Sequence, residues 1–276
     1  MVEHPDIKWI GAHLDTHAVI IPTYNERENI GPLLEGIIGQ QLGSRIIVVD
    51  DNSPDGTGEL ADELATRHSA VRVIHRPGKL GLGTAHIAGM KAALADGVAH
   101  ILTMDADFSH HPRYLPDLLA ALDRYDVAIG SRYAAGGGTL YCTPARKALS
   151  RGANLLARTA LSLQAGDATA GFRGYRRAVL ESIRLDQIVS DGYSFLIEML
   201  YRCQRQDWRI GEVPIVFENR QRGASKISKT EIGRAMETVL RLAWERARRD
   251  PADDSRGSAP SGLTDSAESS GRDASR

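Results

Sequence analysis

Two short apolar runs, each followed by a polar turn, decide how this chain folds. They lie within residues 18–56, which read AVIIPTYNERENIGPLLEGIIGQQLGSRIIVVDDNSPDG. Ala18–Ile21 and Ile46–Asp50 have the length and β-branched content of buried strands, and the pattern of Glu26–Gln41 between them predicts a helix. A strand, a helix and a second strand in this order predict parallel strands joined by a right-handed crossover.

The same alternation continues outward from this segment. The sequence predicts, in order, a helix over 57–67, a strand over 71–74, a helix over 84–95, a strand over 100–104, a helix over 112–122 and a strand over 127–130. Four strand–helix repeats and a fifth strand are typical of a mostly parallel central sheet flanked by helices on both faces. We therefore predict an α/β fold with one domain over residues 14–249.

Beyond Ser131 the pattern is less regular. The Gly-rich residues 134–144 predict a loop, and the segments after it predict a helix over 147–163, a strand over 171–175, a helix over 194–205, a strand over 208–217 and a helix over 230–249. We expect residues 1–13 to be a flexible N-terminus. Residues 250–276 are rich in Ser, Asp, Gly, Ala and Pro, so we expect a disordered tail that cannot offset its ordering entropy.

The composition excludes several classes of protein. The chain has 276 residues, 42% of them apolar, a formal net charge of −1 and only two cysteines. Bulk charge gives no reason to expect nucleic-acid binding, and two distant cysteines exclude a disulfide scaffold and a Cys-based zinc site. No run approaches the ~20 apolar residues of a membrane-spanning helix, and the pattern of a secretory signal is absent. We expect a cytoplasmic location.

Polar clusters follow three of the predicted strands. They are Pro22–Glu26, Asp50–Gly56 and Asp105–Asp107. Ligands of open α/β sheets bind outside the carboxyl ends of the strands, so these clusters converge on one edge. Asp50–Gly56 alone is typical of a turn, but two consecutive aspartates after an apolar strand repel each other unless a ligand donor or a cation meets them. Tyr24 is either a flat wall for a nucleoside or a half-buried core side chain.

Asp105 and Asp107 are candidate metal ligands. In an extended chain, residues two apart point to the same side, and a hard divalent cation removes the repulsion between two carboxylates. Mg²⁺ or Mn²⁺ takes one or two carboxylates together with diphosphate oxygens. This pattern favours a nucleotide-sugar donor, whose leaving group is a diphosphate. We interpret His110-His111 as a loop entering a helix, and Gly81–Gly83 as a tight turn rather than a phosphate cradle.

Basic residues follow the fifth strand and recur later. Arg132 lies directly after that strand, and the others are Arg146, Lys147, Arg151, Arg220, Arg222, Lys226 and Lys229. Any single one of them is typical of a solvated surface charge. Their placement near an acidic, metal-like centre favours a second anionic substrate, because arginine and lysine bind phosphate oxygens.

The ordered set of motifs resembles the dolichol-phosphate or polyprenol-phosphate mannose synthases of glycosyltransferase family 2. The motifs that carry the resemblance are Pro22–Glu26, Asp50–Gly56, Gly81–Thr84, Asp105–His110, Gly130–Tyr133, Ser150–Asn154 and Arg222–Lys226. The resemblance runs from about Ala18 to about Trp244. It implies a GT-A fold and transfer of mannose from GDP-mannose to a polyprenyl monophosphate.

The resemblance also implies roles for individual residues. Pro22, Tyr24, Glu26 and Asp51 would hold the nucleoside, and Asp105 and Asp107 would serve the diphosphate and the metal. Arg132, Arg146 and Ser150 would cradle the acceptor phosphate, and Arg222 and Lys226 would contact the donor phosphates. Ser109 stands where some relatives carry Gln; because serine is shorter, a water between it and the ion is the alternative to direct ligation.

A polyprenyl phosphate acceptor implies a reaction and a location. The monoester is largely dianionic near neutral pH, so we predict in-line attack with inversion, to give a β-mannosyl phosphate, with Asp107 and Arg132 as the catalytic residues. The alternatives are a same-scaffold enzyme for UDP-glucose or another nucleotide sugar, and a non-catalytic nucleotide-sugar-binding protein.

We expect peripheral attachment to the cytoplasmic face of a membrane, or to a separate transmembrane protein. Residues 220–249 carry nine Lys or Arg against three Glu, and such segments are attracted to anionic lipids. The predicted helix 230–249 has one apolar stripe. We predict that its first half, Ile232–Val239, packs on the sheet and that Leu240–Arg249 contacts the membrane or a partner.

Overall fold

The computed structural model of the protein describes residues 16–219 and 229–248, with side chains in the second range from residue 233 onward. The expected flexible N-terminus (1–13) and disordered tail (250–276) lie outside these residues. The elements are β1 (His17–Thr23), α1 (Arg27–Ile38), β2 (Arg45–Asp50), α2 (Thr57–Arg67), β3 (Val71–His75), α3 (Leu82–Ala95), β4 (His100–Thr103), α4 (Leu115–Ala121), β5 (Val127–Ser131), β6 (Gly138–Leu140), α5 (Pro144–Leu161), β7 (Arg173–Arg176), α6 (Arg177–Ser182), α7 (Tyr193–Arg205), β8 (Ile210–Pro214), β9 (Val216–Glu218) and α8 (Lys229–Arg248).

Seven strands form one mixed sheet in the order β3-β2-β1-β4-β7-β5-β8. All neighbours pair in parallel except β7, which runs antiparallel to both β4 and β5. The predicted mostly parallel sheet is therefore confirmed. Because β7 runs the other way, its beginning lies at the edge where β1, β2, β4 and β5 end.

The core lies on both faces of this sheet. Ala18–Ile21 and the rest of β1 are buried throughout, as a strand covered on both sides must be. One apolar cluster joins the sheet to α1, α2 and α4, and the other joins it to α3, α6 and α7. Helix α3 lies so close to β1 that a Cβ at Gly89 would overlap the Ile20 side chain, so only glycine fits there.

The structure corrects several predicted boundaries. Residues 138–140 are not loop: they form the short strand β6, which pairs with β9 in a separate two-stranded sheet. The predicted strand 208–217 is two strands, β8 and β9, because the chain leaves the main sheet at Ile215. Helix α6 was not predicted, and β7 begins at Arg173 rather than residue 171. Elements of three to six residues carry too few periods for a sequence pattern to identify them.

Among the described residues, each helix is either too short or too polar to cross a bilayer.

Candidate active site

The strands β1, β2, β4 and β5 end at one cavity of about 1340 Å³. Every predicted site residue that the structure describes lines it: Pro22, Tyr24, Glu26, Asp51, Asp105, Asp107, Ser109, Arg132, Arg146 and Ser150. Arg222 and Lys226 lie outside the described residues. Apolar side chains of three helices also line the cavity, among them Leu156 of α5, Leu196 of α7 and Val239 of α8.

An aromatic side chain forms part of the cavity wall. Tyr24 follows β1 and is half-buried, and the ammonium group of Lys79 lies 4.3 Å from the centre of its ring. This cation–π contact fixes a flat surface at the cavity wall. Glu26 is buried, and its Oε2 accepts a hydrogen bond of 2.9 Å from the Asn29 amide. Sequence reasoning missed Lys79.

Asp51 lines the cavity, and its carboxylate is also bonded to groups of the protein. Its Oδ2 accepts hydrogen bonds from the backbone N–H groups of Leu80 and Gly81, and its Oδ1 lies 2.8 Å from Nη1 of Arg76. Burial raises the pKa of Asp51 above its ordinary value, and Arg76 offsets only part of that rise. The carboxylate therefore shapes the loop over which a nucleoside would lie.

The start of helix α3 is closed to phosphate by two carboxylates. Asp51 takes the N–H of Gly81, and Asp191 accepts the N–H of Gly83 at 2.9 Å. Gly81 has φ +102°, and a Cβ there would overlap the Asp191 carboxylate, so the turn requires glycine. The interpretation of Gly81–Gly83 as a tight turn agrees with this geometry.

Partners within the chain offset the repulsion expected at Asp50-Asp51, although the charge of Asp50 still contributes to the raised pKa of Asp51. Asp50 accepts hydrogen bonds from the Thr23 hydroxyl at 2.9 Å and from the Ser53 backbone and hydroxyl at 2.9 and 2.6 Å. Asp51 pairs with Arg76. For Asp50, the turn that the sequence pattern itself suggested is the correct reading.

Asp105 and Asp107 follow β4 and line the cavity. Asp107 Oδ1 accepts the N–H of Ser109 at 3.0 Å, while Phe108 between them has φ +60°, so the loop turns back on itself. The Ser109 hydroxyl is buried and has no hydrogen-bond partner in the part of the chain that the structure describes.

This carboxylate pair fits a divalent cation that shares its ligands with a substrate. The described residues contain no group of three or more His, Cys, Asp or Glu side chains that could hold a metal. Mg²⁺ typically binds through one or two carboxylates and completes its shell with substrate phosphates and water. The orphaned Ser109 hydroxyl is a further oxygen next to the pair.

The two histidines after the carboxylates have separate structural tasks. His110 is buried against the Phe172 ring, and its Nδ1 accepts the backbone N–H of Asp105 at 3.2 Å. His111 caps the turn at Pro112–Tyr114 by accepting the N–H of Arg113. The interpretation as a loop entering a helix therefore agrees with the geometry.

Arg132 is not a solvated surface charge. Its Nε and Nη2 donate to the Asp167 carboxylate at 2.7 and 2.6 Å, and Nη2 also donates to the Thr169 hydroxyl at 2.8 Å. Burial alone would raise the pKa of Asp167, but the hydrogen bonds and charge of Arg132 lower it below its ordinary value. Sequence reasoning missed Asp167 and Thr169, although Asp167 is the sole charged residue among positions 159–172.

Helix α5 carries the other predicted acceptor contacts along the cavity. Pro144 starts the helix, and the Thr143 hydroxyl caps it by accepting the N–H of Arg146 at 3.3 Å. Ser150 lies one helical turn further on, and its hydroxyl is 2.8 Å from that of Tyr133. The cap and the turn spacing bring Arg146 and Ser150 to the same side as Arg132.

The apolar residues of α8 divide by face, not by half as predicted. Val239 and Leu242 are buried, whereas Met236, Leu240 and Trp244 are exposed. Arg241 anchors the helix through an ion pair of 2.7 Å with the buried Glu198 of α7. The buried residues and the exposed residues therefore lie on two different faces of α8, and both faces extend along the helix.

A mixed sheet of this order, with carboxylates and arginines at the carboxyl edge, is the architecture of a GT-A-like glycosyltransferase. The profile of Glycosyl transferase family 2 matches residues 18–184, and the chain belongs to this family. The chain is 46% identical over 237 residues to the polyprenol monophosphomannose synthase of Mycolicibacterium smegmatis, covering 83% of this chain and 89% of that protein. It is 45% identical over 231 residues to the undecaprenyl-phosphate mannosyltransferase of Micrococcus luteus, covering 82% and 95%.

Solved structures support the fold. Glucosyl-3-phosphoglycerate synthase from Mycobacterium tuberculosis, in complex with UDP, superposes with a TM-score of 0.59 at 20% identity, over 86% of this chain and 82% of that one. TarS of S. aureus with UDP-GlcNAc gives a TM-score of 0.57 at 18% identity, over 88% and 70%. At these identities the likeness concerns the fold alone.

Proposed function

We propose that the protein transfers mannose from GDP-mannose to a polyprenyl monophosphate with inversion, giving a β-mannosyl phosphoryl polyprenol. One observation carries the proposal: a single cavity is lined by the carboxylates Asp105 and Asp107, by the arginines Arg132 and Arg146, and by apolar side chains of α5, α7 and α8. A diphosphate, a monophosphate and a prenyl chain require these three environments side by side. The two named mannosyltransferase relatives support the choice of sugar and acceptor.

The acceptor itself explains why no strong general base is needed. A phosphate monoester has a second pKa of ~6, so near neutral pH it is already a dianionic nucleophile. The protein must hold it close to an anionic donor against their repulsion. Arg132, Arg146 and Ser150 would hold the acceptor phosphate, and Asp107 would hold the donor through a divalent cation. Catalysis then rests on positioning and charge stabilisation.

Asp105 and Asp107 would bind Mg²⁺ or Mn²⁺, with Ser109 nearby as a direct or water-mediated ligand. Such an ion neutralises the diphosphate leaving group when it is bound. The M. tuberculosis neighbour has been crystallised with Mn²⁺ and UDP, which supports a divalent ion in this fold. Pro22, Tyr24, Glu26 and Asp51 would form the nucleoside end, and Arg222 and Lys226 would contact the donor phosphates.

A transfer assay tests this function. The purified protein is incubated with radiolabelled GDP-mannose or UDP-glucose and a short polyprenyl phosphate, with Mg²⁺, with Mn²⁺ or with EDTA. We expect metal-dependent transfer from GDP-mannose to the lipid. Faster transfer from UDP-glucose would assign the other donor. Binding of GDP-mannose without transfer to any lipid phosphate would indicate a nucleotide-sugar-binding protein.

We also propose that helices α5 and α8 bring the cavity to the cytoplasmic face of a membrane. Leu149 and Leu155 on α5 are 51% and 62% exposed, and Leu240 and Trp244 on α8 are 64% and 56% exposed. Helix α5 has four basic residues and no acidic one. Exposed apolar side chains among basic ones favour an anionic membrane surface, where Trp is enriched. A separate transmembrane protein is the alternative partner.

Point variants test the membrane proposal better than truncation, because the end of α8 also packs through Leu242 and Arg241. We expect the combined variant Leu240→Glu and Trp244→Glu to lose co-sedimentation with anionic vesicles. Val189→Glu is the matched control, since Val189 is an exposed apolar residue outside the cavity. Equal sedimentation of both variants would contradict lipid contact by this face, and no sedimentation even of the wild type would favour a protein partner.

A further inference from the structure

The segment before β7 holds the pocket arginine in one orientation. Asp167 is fully buried, and its carboxylate takes the backbone N–H, Nε and Nη2 of Arg132. The Arg132 side chain is 13% exposed. Its Nη1 makes no hydrogen bond within residues 16–219 and 229–248, so this nitrogen is the one left for a ligand.

Asp167 is itself held from three sides. The N–H groups of Gly166 and Asp167 donate to Glu212 on β8 at 2.9 and 3.1 Å. The N–H of Ala168 donates to Asn154 of α5 at 2.8 Å. The fully buried Arg173 donates to the carbonyl groups of Ala168 and Ala170, both at 2.8 Å. The carboxylate therefore has little freedom to follow a moving arginine.

The same frame connects Arg132 to helix α5. Asn154 donates to the Ser150 carbonyl at 3.0 Å and to the Thr169 hydroxyl at 3.1 Å, and Thr169 in turn accepts from Arg132. Ser150 and Arg146 on α5 are the other groups proposed to hold the acceptor phosphate. The frame thus fixes the spacing between Arg132 and the rest of that cradle.

A buried ion pair is a poor source of net stability, because desolvation consumes most of its attraction. A rigid, bidentate arginine–carboxylate pair instead supplies N–H groups of fixed direction. Asp167 also neutralises the charge of Arg132, so the pair gives Nη1 a fixed direction but adds little net attraction for a phosphate.

We propose that Asp167 is a positioning residue that aims Nη1 of Arg132 at the acceptor phosphate, with Thr169 as its helper. This inference rests on the proposed function, because it assigns the anion that Arg132 meets to the acceptor. Asp167 does not touch the substrate and acts through Arg132 alone.

The test compares Asp167→Asn with Asp126→Asn. Asp126 makes a similar bidentate pair with Arg209 at the other end of β5, outside the cavity. Asparagine cannot accept both guanidinium donors, so the arginine turns. We expect Asp167→Asn to lower kcat by about 100-fold, the cost of a misplacement near 1 Å, with the KM for GDP-mannose within about twofold. Asp126→Asn should keep both constants within about twofold of the wild type.

A binding measurement separates positioning from mere support. Asp167→Asn leaves one more positive charge in the cradle, so farnesyl monophosphate should bind about three- to tenfold more tightly by calorimetry while turnover falls. A purely structural role would weaken binding and turnover together and would overturn the proposal. So would a folded Asp167→Asn protein whose kcat is within about threefold of the wild type.

If Asp167→Asn does not fold, the shape-conserving Thr169→Val decides: we expect a loss of kcat of about three- to tenfold, and a loss below twofold would overturn the proposal. If the wild type transfers no mannose to a polyprenyl phosphate, the proposed function fails by itself. Farnesyl monophosphate binding then decides for Asp167, since equal affinity of wild type and Asp167→Asn would overturn its role.

Discussion

Strand β5 carries an arginine–aspartate pair at each of its ends. At its beginning, Arg209 donates to Asp126 through Nε at 3.1 Å and Nη2 at 3.2 Å; at its end, Arg132 donates to Asp167 at 2.7 and 2.6 Å. The first arginine is 61% exposed and the second 13%. The same chemistry therefore occurs once on the surface and once in the wall of the cavity.

The difference between the two pairs follows from the direction of the strand. Parallel strands gather their carboxyl ends on one edge, and that edge binds the ligand. At the amino edge, Asp126 joins β5 to β8 and also lies 3.6 Å from Arg176, so the pair fastens the sheet. At the carboxyl edge, the same type of pair leaves an arginine nitrogen for a substrate. We expect substitutions at the carboxyl edge to change mainly activity, and substitutions at the amino edge to change mainly stability.

The largest effect should come from the carboxyl edge, at Asp107. We expect Asp107→Ala to abolish transfer, a loss of about 10³-fold or more, because it would remove a ligand of the proposed divalent ion, whose stabilisation of the leaving group would be several kcal/mol. The far-ultraviolet circular dichroism spectrum and the unfolding midpoint should match those of the wild type. Near-normal turnover at saturating metal would contradict the metal role, and unfolding would indicate a structural one.

The next effect should come from Arg132 itself. We expect Arg132→Ala to weaken use of the acceptor by roughly 1.5–3 kcal/mol, the value of a charge-assisted hydrogen bond, while GDP binding changes little. Acceptor KM and kcat, together with calorimetry for GDP, measure the two parts. Equal losses for GDP and for the lipid phosphate would assign Arg132 to the donor.

A pH titration above about pH 4 sharpens the comparison, because the two ion pairs then contribute no change in stability. The lowered pKa values of Asp126 and Asp167 mean that their stabilisation is complete above about pH 4 and is lost only below it. Burial lowers the pKa of His86 from 6.5 to about 3, so between these values the unfolded chain binds a proton that the folded chain excludes. The folded state therefore loses stability as pH falls through this window.

We expect the His86 contribution to the free energy of unfolding to fall by about 2 kcal/mol between pH 7 and pH 5. Urea unfolding of wild type and His86→Leu at both pH values measures it. The variant should lose this part of the pH dependence, since leucine does not titrate and the His86 ring makes no hydrogen bond among the described residues. An equal slope in both proteins would show that His86 is protonated in the folded state.

The smallest effect on activity should come from the amino edge. We expect Arg209→Ala to keep transfer within about twofold of the wild type, because the Arg209–Asp126 pair lies outside the cavity. Steady-state kinetics measure the effect of Arg209→Ala on turnover, and the unfolding midpoint measures its effect on stability. A loss of turnover comparable to that of Arg132→Ala would break the distinction between the two edges.

The sequence allowed the carboxyl edge to be predicted, but only for strands that run in the common direction. Apolar runs followed by Pro22–Glu26 and Asp105–Asp107 predicted the sheet and two segments that line the cavity. Asp167 escaped because β7 is antiparallel, so the residues before it, rather than after it, reach the edge. The direction of a four-residue strand depends on pairing that no local pattern carries.

At Asp50 the prediction erred in the other direction, because it inferred a ligand where the folded chain supplies the partners. Two adjacent aspartates indicated a missing cation or ligand, yet Thr23 and Ser53 satisfy the Asp50 carboxylate, and Arg76 pairs with Asp51. Whether a polar group is satisfied is a property of the folded neighbourhood, so composition alone could not separate Asp50 from Asp107.

The anomeric configuration of the product tests the central claim, that the acceptor phosphate attacks the donor directly within one cavity. GDP-α-mannose and a short polyprenyl phosphate are incubated with the wild-type protein, and the one-bond ¹³C–¹H coupling at C1 of the product is measured by NMR. Single in-line displacement predicts a β-mannosyl phosphate. An α-linked product would contradict the account, because it requires retention and hence a step that this arrangement does not provide.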